Sequence, residues 1–137
     1  EPAQAFVEDR TLAGIRAPQA AFRDPDEFER LERYHGRKAR WVLDAWTETW
    51  LAPTFKSWSL DDDLRQVRCP TLAIHGDQDE YGSLRHLERI ACLTSGPTKA
   101  VIVSACGHVP HREQPERVLR EVAQFLVSGS ATSEPGL

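Results

Sequence analysis

Residues 71–127 constrain the chain most, because two short apolar runs alternate there with two segments of helical period. Thr71-Leu72-Ala73-Ile74 and Ala100-Val101-Ile102-Val103 are apolar at consecutive positions, the pattern of parallel strands covered on both faces. The first is entered through Cys69-Pro70, and proline is tolerated at the mouth of a strand. Between the runs, Leu84, Leu87, Ile90 and Ala91 share a helical face behind a capping Ser83, and Ser95-Gly96-Pro97 ends that helix. After the second run, Pro115 opens a helix whose stripe of Val118, Leu119, Val122, Phe125 and Leu126 is expected to face inward. Burying those side chains would contribute about 1.5–3 kcal/mol each. Strand, helix, strand, helix with short connections makes the strands parallel, with a right-handed crossover. Parallel strands end on the same side of a sheet, and open parallel sheets place their chemistry beyond those ends. The loops leaving there read HGDQDEYG and SACGHVPH, so an acidic loop and a histidine loop meet at one edge although 29 positions separate Asp79 from His108.

The residues before this region have a different texture. Residues 7–22 are weakly helical, and Pro18 is expected to interrupt them. Asp24-Pro25-Asp26-Glu27 supplies an N-cap, a proline at the first helical position and an acid in the first turn. Phe28, Leu31, His35, Val42, Trp46 and Trp50 then recur at helical spacing up to Pro53. They form one long helix or two shorter ones, because Gly36 weakens the middle by about 1 kcal/mol relative to alanine. Residues 1–60 therefore read as a helical segment, residues 61–127 as an α/β segment, and residues 128–137 as a disordered tail with nothing to bury. Asp61-Asp62-Asp63 reads as a solvated hinge capping the next turn, without the alternating ligands and glycine of a calcium loop.

Composition narrows the partners. Seventeen basic and 21 acidic residues give a formal charge of −4, with no run of Lys or Arg to track a nucleic acid or an anionic membrane. No apolar stretch approaches the roughly 20 residues needed to cross a bilayer, and no signal peptide is visible. Cys69, Cys92 and Cys106 lack CxxC spacing and fit a reducing compartment, so a cytoplasmic location is expected. There is no methionine and the chain starts Glu1-Pro2-Ala3, so it reads as processed or as a piece of something longer.

Taken residue by residue, the histidine loop allows three chemistries. His108 and His111 could share a metal with Cys106 or Asp79, but Pro110 stiffens the backbone between them and no fourth ligand has recognisable spacing. Cys106 could attack as a thiol beside His108, although their spacing is tight for that geometry and a small packing residue is the simpler role. His108 could move protons while Asp79 orients its ring, or Asp77 if the first loop turns the other way. His111 is expected to support the loop by hydrogen bonding, and His75 and His86 read as loop and helix-surface residues without a role. Trp46 and Trp50 can rim an apolar substrate pocket, or glue one layer to another as aromatic stripes commonly do.

The string Pro70-Thr71-Leu72-Ala73-Ile74-His75-Gly76-Asp77-Gln78-Asp79, then Gly107-His108, then Glu113-Gln114-Pro115-Glu116 leading the last helix, resembles the C-terminal half of an α/β-hydrolase. The resemblance spans most of residues 5–127. In that family a Gly-x-x-Asp loop supplies the acid and a Gly-His loop the base of a Ser-Asp-His triad. It implies Asp79 as the acid, His108 as the base, and residues 1–60 as a cap or lid over a pocket where Trp46 and Trp50 bind substrate. It also implies cofactor-independent hydrolysis of a small apolar ester or a related acyl or carbon–carbon bond, with no metal. The family's nucleophile pentad, Gly-x-Ser-x-Gly, does not occur in these 137 residues. The expectation is therefore a C-terminal fragment, silent alone, whose partner is the N-terminal half of the hydrolase core. The competing expectation is a noncatalytic binding module whose strand edges meet a partner.

Overall fold

The structure, a computed structural model, describes residues 4–130. Phe6–Ser59 form one compact unit, and residues 4–5 with residues 60–130 form another.

The first unit contains α1 (Asp9–Ala21), α2 (Pro25–His35) and α3 (Ala39–Leu51), then a 3-10 turn at Pro53–Phe55. Helices α1 and α2 both pack on α3. Thr11 and Ile15 from α1, and Ala39, Leu43 and Thr47 from α3, fill the interior. Each set repeats every four residues, which puts it on one side of its helix. The buried Thr47 hydroxyl donates to the Leu43 carbonyl at 3.0 Å and accepts from Gln19 Nε2 at 3.4 Å, so its burial carries no unmet polar group.

Pro18 does not interrupt α1 as the sequence leads one to expect, since the helix continues through it to Ala21. Proline removes only its own N–H; the Phe22 N–H still reaches the Pro18 carbonyl at 2.9 Å, and the turn closes around the missing bond. Gly36 does divide the following segment. Its φ of 54° lies in the left-handed region that glycine enters at little cost, and a 3-10 turn at Gly36–Lys38 joins α2 to α3. Asp24 caps α2 through a 2.9 Å bond from the Asp26 N–H.

The second unit contains α4 (Asp61–Leu64), β1 (Thr71–Gly76), α5 (Arg85–Leu93), β2 (Thr98–Val103), α6 (Pro110–Glu113) and α7 (Pro115–Ser130). The strands are parallel, in register from Thr71 opposite Thr98 to Gly76 opposite Val103, so they end together. Partners in register share a face; Leu72 and Ile74 therefore lie with Val101 and Val103, and Cys106 completes this core. Helix α5 packs on both strands, while α6 and α7 pack on β1. Lys99 of β2 ties to Glu121 of α7 at 2.9 Å.

Four expectations need correction here. Asp61 is no solvated hinge: its carboxylate takes both Arg89 Nε, at 2.6 Å, and Arg89 Nη2, which fastens α4 to α5 through a forked pair. His75 is not a loop residue, and His86 does not lie on a helix surface. His75 is 2% exposed within β1, and His86 is fully buried in α5, its Nδ1 accepting from the Ala5 N–H at 3.1 Å. An imidazole has an apolar body and two nitrogens, so it enters an interior wherever backbone groups meet those nitrogens. The α7 stripe is only partly covered, with Leu119 67% and Leu126 62% exposed while Val118 and Phe125 are half-buried. A sheet of two strands, the number among the described residues, is narrower than that stripe. Finally, α7 runs to Ser130, so residues 128–130 are helical rather than tail; residues 131–137 lie outside the described residues.

Candidate active site

The loops after β1 and β2 are laced together by main-chain bonds. The Asp77 N–H donates to Val103 at 3.0 Å and the Gln78 N–H to Cys106 at 2.8 Å, while the Asp77 carboxylate accepts from the Cys106 N–H at 3.4 Å. Gly76 makes this approach possible, because a methyl group there would overlap the Cys106 and Gly107 carbonyl oxygens. Ala105 adopts a φ of 52°, a left-handed conformation that costs a residue with a side chain about 1–2 kcal/mol. Gln114 offsets that strain: its Nε2 donates to the carbonyls of Ser104 at 2.8 Å and Ala105 at 3.3 Å.

This lacing brings Asp79 against His108. His108 Nδ1 lies 3.0 Å from each carboxylate oxygen of Asp79, whose side chain is fully buried, while the His108 side chain is 24% exposed. Asp79 Oδ1 also accepts from the Tyr81 N–H at 2.7 Å and the Gly82 N–H at 3.2 Å, the turn that an aspartate forms with the backbone two and three residues on. The Tyr81 ring lies against the imidazole, with centroids 4.6 Å apart. Burial pushes the Asp79 carboxyl up, but the His108 bond, the Tyr81 N–H and the charges of His108 and His75 together hold it below its usual range. The carboxylate therefore stays ionised, and the tautomer it favours on His108 carries the proton at Nδ1 and a lone pair at Nε2.

The other candidates fall elsewhere. Asp77 spends its carboxylate on the Cys106 N–H, not on the imidazole. Cys106 is fully buried, and burial followed by the negative charge of Glu113 pushes its thiol up, the reverse of what an attacking thiolate requires. His111 is exposed on α6. Among the described residues no three His, Cys, Asp or Glu side chains are grouped to hold a metal ion, and no helix is long and apolar enough to cross a membrane. Trp46 and Trp50 lie one turn apart on α3 in the other unit, both half-buried. Trp50 meets Phe55 and Trp58 edge-on at 5.3 and 5.4 Å, an aromatic trio whose pairs add about 0.5–1.5 kcal/mol each beyond buried area.

The residue that sequence reading quoted but left without a role is Glu113. Its Oε2 accepts from the Gly107 N–H at 2.7 Å and its Oε1 from the Val109 N–H at 3.0 Å, so one carboxylate grips the backbone on both sides of His108. The role expected of His111 thus belongs to Glu113 and Gln114. The signal was an acid at the end of a one-turn helix opened by Pro110, five residues past the histidine. The bonds from Gly107 and then Val109 hold the Glu113 carboxyl below its ordinary value. Its support of the loop is therefore complete above the ordinary glutamate range and is lost as pH falls through the lower folded value. Glu113→Ala is expected to speed amide exchange at Gly107 and Val109 selectively, read by hydrogen-exchange NMR. A carbon-13 titration of the Glu113 carboxyl in the folded chain should show the depressed midpoint.

Comparisons with known proteins agree with this architecture. The sequence model of the alpha/beta hydrolase family matches residues 2–121. No curated protein matches the sequence. Among solved structures, NosK from Streptomyces actuosus superposes with a TM-score of 0.67 at 20% identity, over 92% of this chain and 56% of its own. A membrane phospholipase A described as a bacterial virulence factor gives 0.65 at 21% identity, over 95% and 47%. A serine hydrolase involved in carbazole degradation gives 0.59 at 20% identity, over 90% and 51%. At such identities the likeness is one of fold, and the chain spans about half the length of these proteins. Parallel strands with flanking helices, and a family match over most of the sequence, lead to one conclusion: the chain belongs to the alpha/beta hydrolase family.

Proposed function

We propose that Asp79 and His108 are the acid and base of a Ser-Asp-His triad that hydrolyses a small apolar ester, or a related acyl or carbon–carbon bond, without a cofactor. The observation that carries this reading is the buried carboxylate held 3.0 Å from His108 Nδ1, at the carboxyl ends of two parallel strands. With Nδ1–H engaged, Nε2 takes the proton of a serine hydroxyl as that oxygen attacks the substrate carbonyl. The same nitrogen then returns the proton to the leaving group, and Asp79 stabilises the imidazolium in between. Such proton transfer contributes about 10²- to 10⁴-fold.

The nucleophile comes from a partner half of the core. No Gly-x-Ser-x-Gly pentad occurs in the 137 residues, and the solved relatives are about twice as long. Among the described residues the second edge of β1 has no strand beside it, and a groove of about 190 Å³ runs along it between Leu72, Ile74 and Leu87. Residues 1–60 serve as the cap, with Trp46 and Trp50 binding substrate. Unbridged, exposed Cys69 and Cys92 fit a cytoplasmic setting. The exposed α7 stripe and the open strand edge also favour a second reading, a noncatalytic module that docks a partner through these surfaces.

The purified 137 residues are expected to turn over no p-nitrophenyl ester above background. Turnover that His108→Ala abolishes would overturn the outside nucleophile. Fused to a hydrolase half that carries the pentad, the chain is expected to yield turnover lost in His108→Ala; a fused, folded product indifferent to that substitution would favour the docking module.

A further inference from the structure

The mechanism above leaves His75 without a task, yet this imidazole touches the acid. It is 2% exposed in β1, and its Nε2 lies 3.2 Å from the Gly82 carbonyl oxygen and 3.4 Å from Asp79 Oδ2. Both neighbours are acceptors, so Nε2 carries a proton; the Gly82 carbonyl receives it as a hydrogen bond, and the Asp79 carboxylate meets the ring edge as an electrostatic contact without a hydrogen bond.

We propose that His75 is a positioning residue that locks the rotation of the Asp79 carboxylate and thereby keeps the proton of His108 on Nδ1. This rests on the reading of Asp79 and His108 as the proton-handling pair. The Tyr81 and Gly82 N–H groups fix Oδ1. The broad, two-fold torsion about the Cβ–Cγ bond moves both oxygens together, and Oδ2 also lies 3.0 Å from His108 Nδ1, so a contact at Oδ2 opposes from the other edge the same rotation that the two N–H groups oppose at Oδ1. His75 meets Oδ2 from a strand whose register is set by pairing with β2, His75 lying opposite Ile102. It also closes a ring, since Gly82 donates its N–H to Asp79 and accepts from His75 through its carbonyl. His75 and Asp79 are both shut away from water, which neither competes for these bonds nor screens them. Burial raises the Asp79 carboxyl, and the charge of His75 joins the larger pulls of His108 and Tyr81 in lowering it again. The simpler account is a core histidine satisfied by Gly82 alone, in which case His108 would not sense the loss of the donor.

Nitrogen-15 NMR of the imidazoles in the whole chain decides between them, at a pH where His108 is neutral. The parent and His75→Gln, whose amide nitrogen reaches where Nε2 sits, are expected to hold His108 almost wholly as the Nδ1–H form. In His75→Leu and in the shorter His75→Asn that form should fall to a minority and its downfield proton should vanish. A folded Leu variant that retains the Nδ1–H form, or a Gln variant that loses it as fully as Leu, overturns the proposal. Should circular dichroism show the Leu variant unfolded, Gln against Asn decides: retention in Gln with loss in Asn supports positioning, and equal behaviour overturns it. Failure of the underlying pair reads differently, because the parent itself would then lack the Nδ1–H form.

Discussion

Gly76→Ala is expected to unfold the unit that holds Asp79 and His108, with a loss of more than about 4 kcal/mol, the exceptional end of the range for one substitution. The added methyl would overlap the carbonyl oxygens of both Cys106 and Gly107. These are backbone atoms and cannot turn aside as a side chain would. The Cys106 carbonyl receives the Gln78 N–H, and the Gly107 N–H is gripped by Glu113, so moving either breaks the lacing that brings the two loops together. Gly36→Ala is the control. Nothing lies within 4 Å of its added methyl, and only the backbone conformation, φ 54° with ψ −137°, is penalised, at about 1–3 kcal/mol. Urea titrations followed by circular dichroism compare the two. A Gly76→Ala chain as stable as the parent would show that the loops do not approach as described.

Asp79→Asn is expected to lower kcat of the reassembled hydrolase by about 10⁴-fold, with little change in KM, because the amide keeps the shape but not the charge. An amide can offer its NH2 group to His108 Nδ1, which drives the imidazole proton to Nε2, the atom that must be able to accept one. Asp77→Asn should cost far less, since the Asp77 carboxylate meets the Cys106 N–H and not the imidazole. Equal losses from the two substitutions would mean that Asp77 and Asp79 had been assigned wrongly. The pH dependence has a definite sign. Asp79 is held below its ordinary value, so its support of fold and pair is complete above about pH 4 and declines only as pH falls through the lower folded value.

Local chemistry made much of this legible in advance. Two apolar runs joined by a short helical crossover can pair only as parallel strands that end together, which is why residues 29 positions apart could be assigned to one sheet edge before any coordinate was known. Helix starts were readable where a cap and a proline coincide, at Asp24-Pro25 and at Pro115. The choice of Asp79 over Asp77 came from the Gly-x-x-Asp resemblance and not from the loop residues taken alone, because which of them faces the imidazole depends on the direction of a turn set by Tyr81 and Gly82. The burial of His75 and His86 was not readable, since a histidine belongs inside or outside according to whether acceptors and donors from distant segments reach its nitrogens. Glu113 needed tertiary structure for the same reason, as its two amide partners converge only once the loop has closed. The α7 stripe marks the limit most plainly. Periodicity shows which face of a helix is apolar, but only the surface brought against that face decides whether its side chains leave water, and here Leu119 and Leu126 do not.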